Sequence, residues 1–103
     1  MARVSVGKVA EIPKGTMIGA EIEGEKILVA NVDGNFHAMR STCNHAGGPL
    51  QQGKLEGKIV TCPWHGSKWD VTNGSLVWFM KPLPNEPVYK VAVEGGEVFV
   101  DNG

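Results

Sequence analysis

The sequence has little of what several classes of protein require. It contains only 2 cysteines, and its formal net charge is −1, so there is no basic surface for nucleic acid and no polybasic membrane segment. No apolar run approaches the ~20 residues of a membrane helix, and residues 1–12 lack the apolar core of a signal peptide. We therefore expect a soluble, cytoplasmic chain that forms one domain, residues 1–103.

Helical periodicity is also missing, since no segment of ten or more residues repeats apolar side chains at about 3.6 residues. Glycine is abundant at 14 and proline contributes 6, which favours many turns and short strands. Apolar and polar residues alternate at 3–12 and again at 17–25, where Glu21, Glu23 and Glu25 are expected to form one solvated strand face. The pattern predicts an all-β fold of short antiparallel strands, arranged as a sandwich or a barrel.

Turn signals separate the predicted strands. Asp33-Gly34 and Asn73-Gly74 are hairpin signals between apolar runs, and Gly95-Gly96 divides the last two predicted strands.

Both cysteines lie close to a histidine. Cys43 and His45 are one residue apart, Cys62 and His65 are two residues apart, and glycine and proline flank both pairs. Two such loops at hairpin tips can converge on one metal site, to which each contributes a thiolate and an imidazole. These ligands could hold one tetrahedral zinc ion. The mixed order within each pair instead matches a [2Fe–2S] centre in which two histidines replace two cysteines on one iron.

The segments "CNH", residues 43–45, and "CPWHGS", residues 62–67, resemble the two cluster-binding loops of Rieske iron–sulfur proteins. The resemblance extends over roughly residues 4–100. It implies a Rieske-like antiparallel β-sandwich or barrel. In such a fold, two loops at about residues 40–50 and 61–70 form a cluster-binding subdomain.

The resemblance also implies the ligands of one [2Fe–2S] cluster per chain. Cys43 and Cys62 would bind one iron, and His45 and His65 would bind the other. His37 has no cysteine partner in the sequence and is expected to be an ordinary strand residue.

Further residues take roles by the same resemblance. The Ser67 hydroxyl would donate a hydrogen bond to a bridging sulfide. Trp69 stands where the family has a tyrosine that donates to a cysteine sulfur, and it lacks that hydroxyl. Trp64 is expected to pack over the cluster, and Pro82 and Pro84 are expected to order the loop that covers the cluster's third side.

Within this family, the chain looks like a free ferredoxin. Quinol-oxidising members carry an additional cysteine in each loop, at positions occupied here by Gly48 and Trp64. The resemblance implies a monomeric electron carrier, not an enzyme, that takes one electron from a flavoprotein reductase and passes it to a terminal ring-hydroxylating oxygenase. The alternatives are a small subunit of a nitrite-reductase-type complex and a structural zinc module.

Overall fold

The computed structural model describes residues 3–42, 49–64, 66–80 and 82–101, and within these ranges the chain forms ten β-strands. The all-β prediction is confirmed, and the described part of the chain contains no helix long and apolar enough to cross a membrane. Short 3-10 turns occupy Val9–Glu11 and Leu50–Gln52. The strands are β1 (Arg3–Lys8), β2 (Met17–Ile22), β3 (Glu25–Val32), β4 (Asn35–Arg40), β5 (Lys54–Glu56), β6 (Ile59–Thr61), β7 (Lys68–Asp70), β8 (Leu76–Trp78), β9 (Val88–Glu94) and β10 (Glu97–Asp101).

The described strands form two antiparallel sheets. One has six strands in the order β1-β10-β9-β4-β3-β2, and the other has four in the order β5-β6-β7-β8. The edges of the larger sheet approach each other, because a Cβ on Gly7 of β1 would lie 3.7 Å from Cδ1 of Ile18 on β2. The larger sheet is therefore a nearly closed barrel, and the smaller one packs against its outside.

Hairpins with two-residue turns connect much of the larger sheet. The turns Glu23-Gly24, Asp33-Gly34 and Gly95-Gly96 have both residues at positive φ, as type I′ turns require. The Asp-Gly and Gly-Gly turns were predicted, whereas Glu23-Gly24 interrupts what the alternation indicated as one strand.

That turn corrects the prediction of a single acidic strand face. Glu21 lies on β2, Glu23 lies in the turn at φ 51°, and Glu25 begins β3 opposite Ile22. All three side chains are exposed, so the acidic residues are solvated, but they do not line one strand. A second prediction was too long. The strand expected over 3–12 ends at Lys8, where the backbone enters a 3-10 turn.

β3 is buried on both of its faces, and each face contributes to a different core. Ile27 and Val29 point into the barrel, whereas Leu28 and Ala30 point towards the smaller sheet. The barrel core consists of Ile12, Ile22, Ile27, Val29, Ala38, Val98 and Val100. The inter-sheet core consists of Leu28, Ala30, Met39, Leu50, Val60, Cys62, Trp69 and Val71.

Candidate metal centre

The second predicted ligand loop connects β6 to β7. The Cys62 N–H donates to the Ser67 carbonyl oxygen at 2.8 Å, and the Gly66 N–H donates to the Cys62 carbonyl oxygen at 3.1 Å. Gly66 has a φ of 75°, a conformation that glycine adopts without the steric cost of a Cβ. These contacts close the loop into a tight turn at the end of the β6–β7 hairpin.

Cys62 points into the protein from the base of this turn. It continues the alternation of β6, in which Val60 faces inwards, and it is only 3% exposed. Its thiol is free and belongs to the inter-sheet core. A donor atom at this position is shielded from water, and Leu28, Met39 and Trp69 belong to the same core.

The first predicted ligand loop begins and ends beside the same core. Thr42 pairs with Pro49, and the Leu50 N–H donates to the Ser41 carbonyl oxygen at 2.7 Å. The Ser41 hydroxyl also donates to Oε1 of Gln51. Leu50 is fully buried in the inter-sheet core that contains Cys62.

Gly53 allows the bases of the two predicted ligand loops to lie in close contact. A Cβ on Gly53 would lie 1.9 Å from the Thr61 carbonyl oxygen, so only glycine allows this close approach. The next residue, Lys54, pairs with Thr61 in the β5–β6 ladder. The chain that leaves the first loop therefore runs directly against the strand that leads to Cys62.

The structure brings Cys62 and Ser67 together at the base of one loop, whereas Cys43, His45 and His65 lie outside the described residues. Among the residues that are described, no group of three or more His, Cys, Asp and Glu side chains could hold a metal ion. His37 lies on β4, opposite Ala30, as an ordinary strand residue.

Sequence reasoning missed the hydrogen bond that Trp69 makes. Trp69 is fully buried, and its Nε1–H donates to Oγ of Ser67 at 3.0 Å. Ser67 immediately precedes β7 and Trp69 lies on it, and extended backbone places residues two positions apart on the same side. Trp64, which is expected to pack over the cluster, is 56% exposed.

The segment that contains Pro82 and Pro84 is bound by a partly buried ion pair that sequence reasoning also missed. Nε of Arg40 lies 3.0 Å from Oε1 of Glu86, whose side chain is fully buried. Leu83 packs against the inter-sheet core, and Pro82 and Pro84 are exposed. No periodic signal could have found this ion pair, because its partners are far apart in the sequence.

Two titratable groups near the smaller sheet and this segment are perturbed. Burial alone raises the pKa of Asp70, but hydrogen bonds from Thr72 and the ammonium group of Lys58 outweigh it and hold the pKa below its ordinary value. Burial raises the pKa of Tyr89, and the carboxylates of Glu25 and Glu86 add to this effect.

The chain is similar to known proteins over nearly its full length. A family model described as the Rieske [2Fe–2S] domain matches residues 2–93. The ferredoxin component of the Pseudomonas aeruginosa naphthalene 1,2-dioxygenase system is 33% identical over 92 residues, which are 88% of this chain and 86% of that protein. The ferredoxin component of biphenyl 2,3-dioxygenase from Rhodococcus jostii (strain RHA1) is 35% identical over 101 residues, 98% of this chain and 94% of that relative.

A solved structure with a similar fold is the complex of reduced oxygenase and oxidized ferredoxin in carbazole 1,9a-dioxygenase. One chain of that complex superimposes with a TM-score of 0.88 at 28% sequence identity, over 95% of this chain and 91% of that chain.

Proposed function

Because the chain belongs to the Rieske [2Fe–2S] family, we propose that it is a one-electron carrier that links a flavin-dependent reductase to a terminal ring-hydroxylating oxygenase. Its cofactor is a [2Fe–2S] cluster. The observation that carries the proposal is the match, over nearly the full length of both chains, to ferredoxin components of dioxygenase systems. These relatives favour a carrier over a nitrite-reductase-type subunit and over a zinc module.

The proposed ligands are Cys43 and Cys62 on one iron and His45 and His65 on the other. The described residues fit this role, because Cys62 offers a thiol sulfur that is shielded from water, and the base of the first loop packs beside it. When bound, the cluster supplies one-electron redox chemistry. Two neutral imidazoles in place of two thiolates reduce its negative charge and so raise its reduction potential.

The surrounding residues position the two loops and exclude water. The inter-sheet core seals Cys62 from solvent, and the close approach of Gly53 to Thr61 keeps the loop bases adjacent. Electrons are proposed to leave through the imidazole edges of His45 and His65. The exposed ring of Trp64 adjoins His65 in the sequence and leaves apolar surface for a partner.

Partner binding is proposed to be transient. The similarity to the oxygenase–ferredoxin complex supports an oxygenase as acceptor, and the flavoprotein reductase is the proposed donor. A carrier must release each partner quickly, which is typical of interfaces below about 1,200 Å². We propose that residues 1–103 act as a single-domain monomer in the cytoplasm.

Alanine substitution of each proposed ligand tests the site. Cys43→Ala, His45→Ala, Cys62→Ala and His65→Ala should each lose the cluster, because each removes one of four ligands. His37→Ala is the control and should retain it, since His37 lies on β4. Iron and acid-labile sulfide analysis, with the electron paramagnetic resonance spectrum of the reduced protein, provides the measurement.

Two results would contradict the assignment: a full cluster in any of the four ligand variants, or the loss of the cluster in His37→Ala. The carrier function has its own test. The reduced protein should transfer one electron to a terminal oxygenase in stopped-flow mixing and should form no stable complex with it in gel filtration. Failure to reduce any aromatic-ring oxygenase would refute the proposed acceptor.

A further inference from the structure

The hydrogen bond between Trp69 and Ser67 has a fixed direction. An indole N–H can only donate, so Oγ of Ser67 must be the acceptor in the 3.0 Å contact. The hydroxyl proton of Ser67 therefore points away from Trp69. Both side chains are fully buried, so water does not compete for this contact.

The hydrogen bond from Trp69 restricts the orientation of the Ser67 hydroxyl and makes it a stronger donor. A serine hydroxyl rotates freely about its C–O bond when nothing holds it. With one lone pair engaged by the indole, the proton is confined to the remaining directions. Hydrogen bonds in a chain also polarise one another, so the hydroxyl becomes a better donor than an isolated one.

The position of Ser67 places its hydroxyl close to a proposed ligand. Its carbonyl oxygen accepts from the Cys62 N–H, so Ser67 lies at the base of the turn that carries a proposed ligand. Ser67, Trp69 and the Cys62 thiol are all buried on the inner side of the smaller sheet.

We propose that Trp69 is a positioning residue for the cluster: its indole N–H orients and polarises the Ser67 hydroxyl, which donates to a cluster sulfur. This inference rests on the proposed function. Hydrogen bonds to the sulfurs stabilise the more negative, reduced state and raise the reduction potential. Trp69 thus replaces a direct donor with an indirect one that acts through Ser67.

A double-mutant cycle in the loaded protein tests the inference. Trp69→Phe removes the N–H but keeps an aromatic ring, and it should lower the reduction potential. For one hydrogen bond of ordinary strength, the equilibrium constant for electron uptake falls roughly two- to tenfold. Ser67→Ala should lower the potential further, and adding Trp69→Phe to Ser67→Ala should change nothing more.

Trp78 provides the matched control. It lies on β8 and is 53% exposed, so Trp78→Phe should leave the potential unchanged. Protein-film voltammetry at neutral pH gives the potentials. Equal potentials in the parent and Trp69→Phe would overturn the inference. A drop of the same size with and without the Ser67 hydroxyl would also overturn it, because Trp69 would then act independently of Ser67.

An analogue covers the case in which Trp69→Phe loads poorly. In a Trp64→Phe/Trp78→Phe background, 3-benzothienylalanine at position 69 replaces the indole N–H with sulfur at nearly constant shape. The reduction potential should fall relative to the same background with Trp69 intact, by about as much as in Trp69→Phe. An unchanged potential would overturn the inference. A parent protein without a Rieske-type cluster signal would refute the proposed function itself. A loaded parent without these shifts would refute only the role of Trp69.

Discussion

Asp70, on β7 of the smaller sheet, is expected to make the stability of the fold depend on pH. Its carboxylate accepts hydrogen bonds from the backbone N–H of Thr72 at 2.9 Å and the hydroxyl of Thr72 at 2.5 Å. Nζ of Lys58 lies 3.3 Å from the other carboxylate oxygen. These partners outweigh the opposing effect of burial, so the pKa of Asp70 lies below its ordinary value. The ionised form therefore stabilises the fold.

Asp70→Asn should lower the free energy of unfolding at pH 7 by about 1–2 kcal/mol, because charge-assisted hydrogen bonds become neutral ones. The contribution of Asp70 is fully present above the pKa of the unfolded chain, about 3.9, and is lost as the pH falls through the lower folded-state pKa. The deficit of Asp70→Asn should therefore shrink below about pH 4. Denaturant unfolding followed by circular dichroism from pH 7 to pH 3 measures it.

Thr72→Val serves as the companion variant to Asp70→Asn. It removes one hydrogen bond to the carboxylate, so its deficit should be smaller and should shrink over the same pH range. A deficit that is constant from pH 7 to pH 3 in both variants would contradict the assigned role of the Asp70 charge.

Among the structural elements, the segment of residues 82–87 is held from two sides. On one side the Arg40 N–H donates to the Pro87 carbonyl oxygen at 2.9 Å, and the Arg40 side chain pairs with Glu86. On the other side the Glu86 N–H donates to the Gly74 carbonyl oxygen at 2.8 Å. A Cβ on Gly74 would lie only 2.1 Å from the Glu86 carbonyl oxygen. The predicted Asn-Gly turn therefore also anchors the proline segment.

Gly74→Ala should destabilise the protein by more than the cost of a positive φ alone, which is on the order of 1–2 kcal/mol. The added methyl group must displace the backbone at Glu86, so the proline segment should loosen. If that segment covers the cluster, the cluster should also be lost faster in the presence of a chelator. Denaturant unfolding and the decay of visible absorbance provide the two measurements.

Gly57→Ala is the matched control for Gly74→Ala. Gly57 has a φ of 61°, but a Cβ there would meet nothing within 4 Å, so only the backbone cost applies. Equal losses of stability in the two variants would show that contact with Glu86 does not matter. Normal cluster retention in a destabilised Gly74→Ala protein would show that the proline segment does not cover the cluster.

At the scale of the whole molecule, the protein has two hydrophobic cores, and they are expected to contribute differently to cluster retention. Ile27 and Leu28 are adjacent and both buried, but they point into the barrel core and the inter-sheet core respectively. Only the inter-sheet core contains Cys62. Substitutions of equal size at these two positions should therefore differ in their effect on the cluster.

Ile27→Ala and Leu28→Ala should each lower the free energy of unfolding by about 2–5 kcal/mol, the usual loss for such a core truncation. Leu28→Ala should in addition release the cluster at a lower denaturant concentration than global unfolding requires, because the cavity lies in the core that seals Cys62. Ile27→Ala should lose cluster and fold together. Denaturant titrations followed by visible absorbance measure cluster release, and the same titrations followed by circular dichroism measure unfolding. If the gap between the two midpoints is the same in Ile27→Ala and Leu28→Ala, the proposed difference between the cores is wrong.

Local patterns determined a large part of this protein. Alternation of apolar residues identified the all-β class, because side chains on a strand alternate between its faces. The Asp33-Gly34 and Gly95-Gly96 turns were readable because few residues adopt positive φ. The paired Cys/His motifs indicated the family, which the family model confirms, and its [2Fe–2S] cofactor. The four individual ligands stay a prediction.

Tertiary structure alone decided what depends on residues meeting across the fold. Glu86 pairs with Arg40 across 46 positions, and no sequence period relates them. The run at β3 is buried on both faces because the barrel closes behind it and the smaller sheet covers it. Trp69 and Ser67 are close in the sequence, but only the fold buries both side chains and so shields their hydrogen bond from water. These features depend on tertiary packing, which brings residues that are distant in the sequence into contact and excludes water from residues that are close in the sequence.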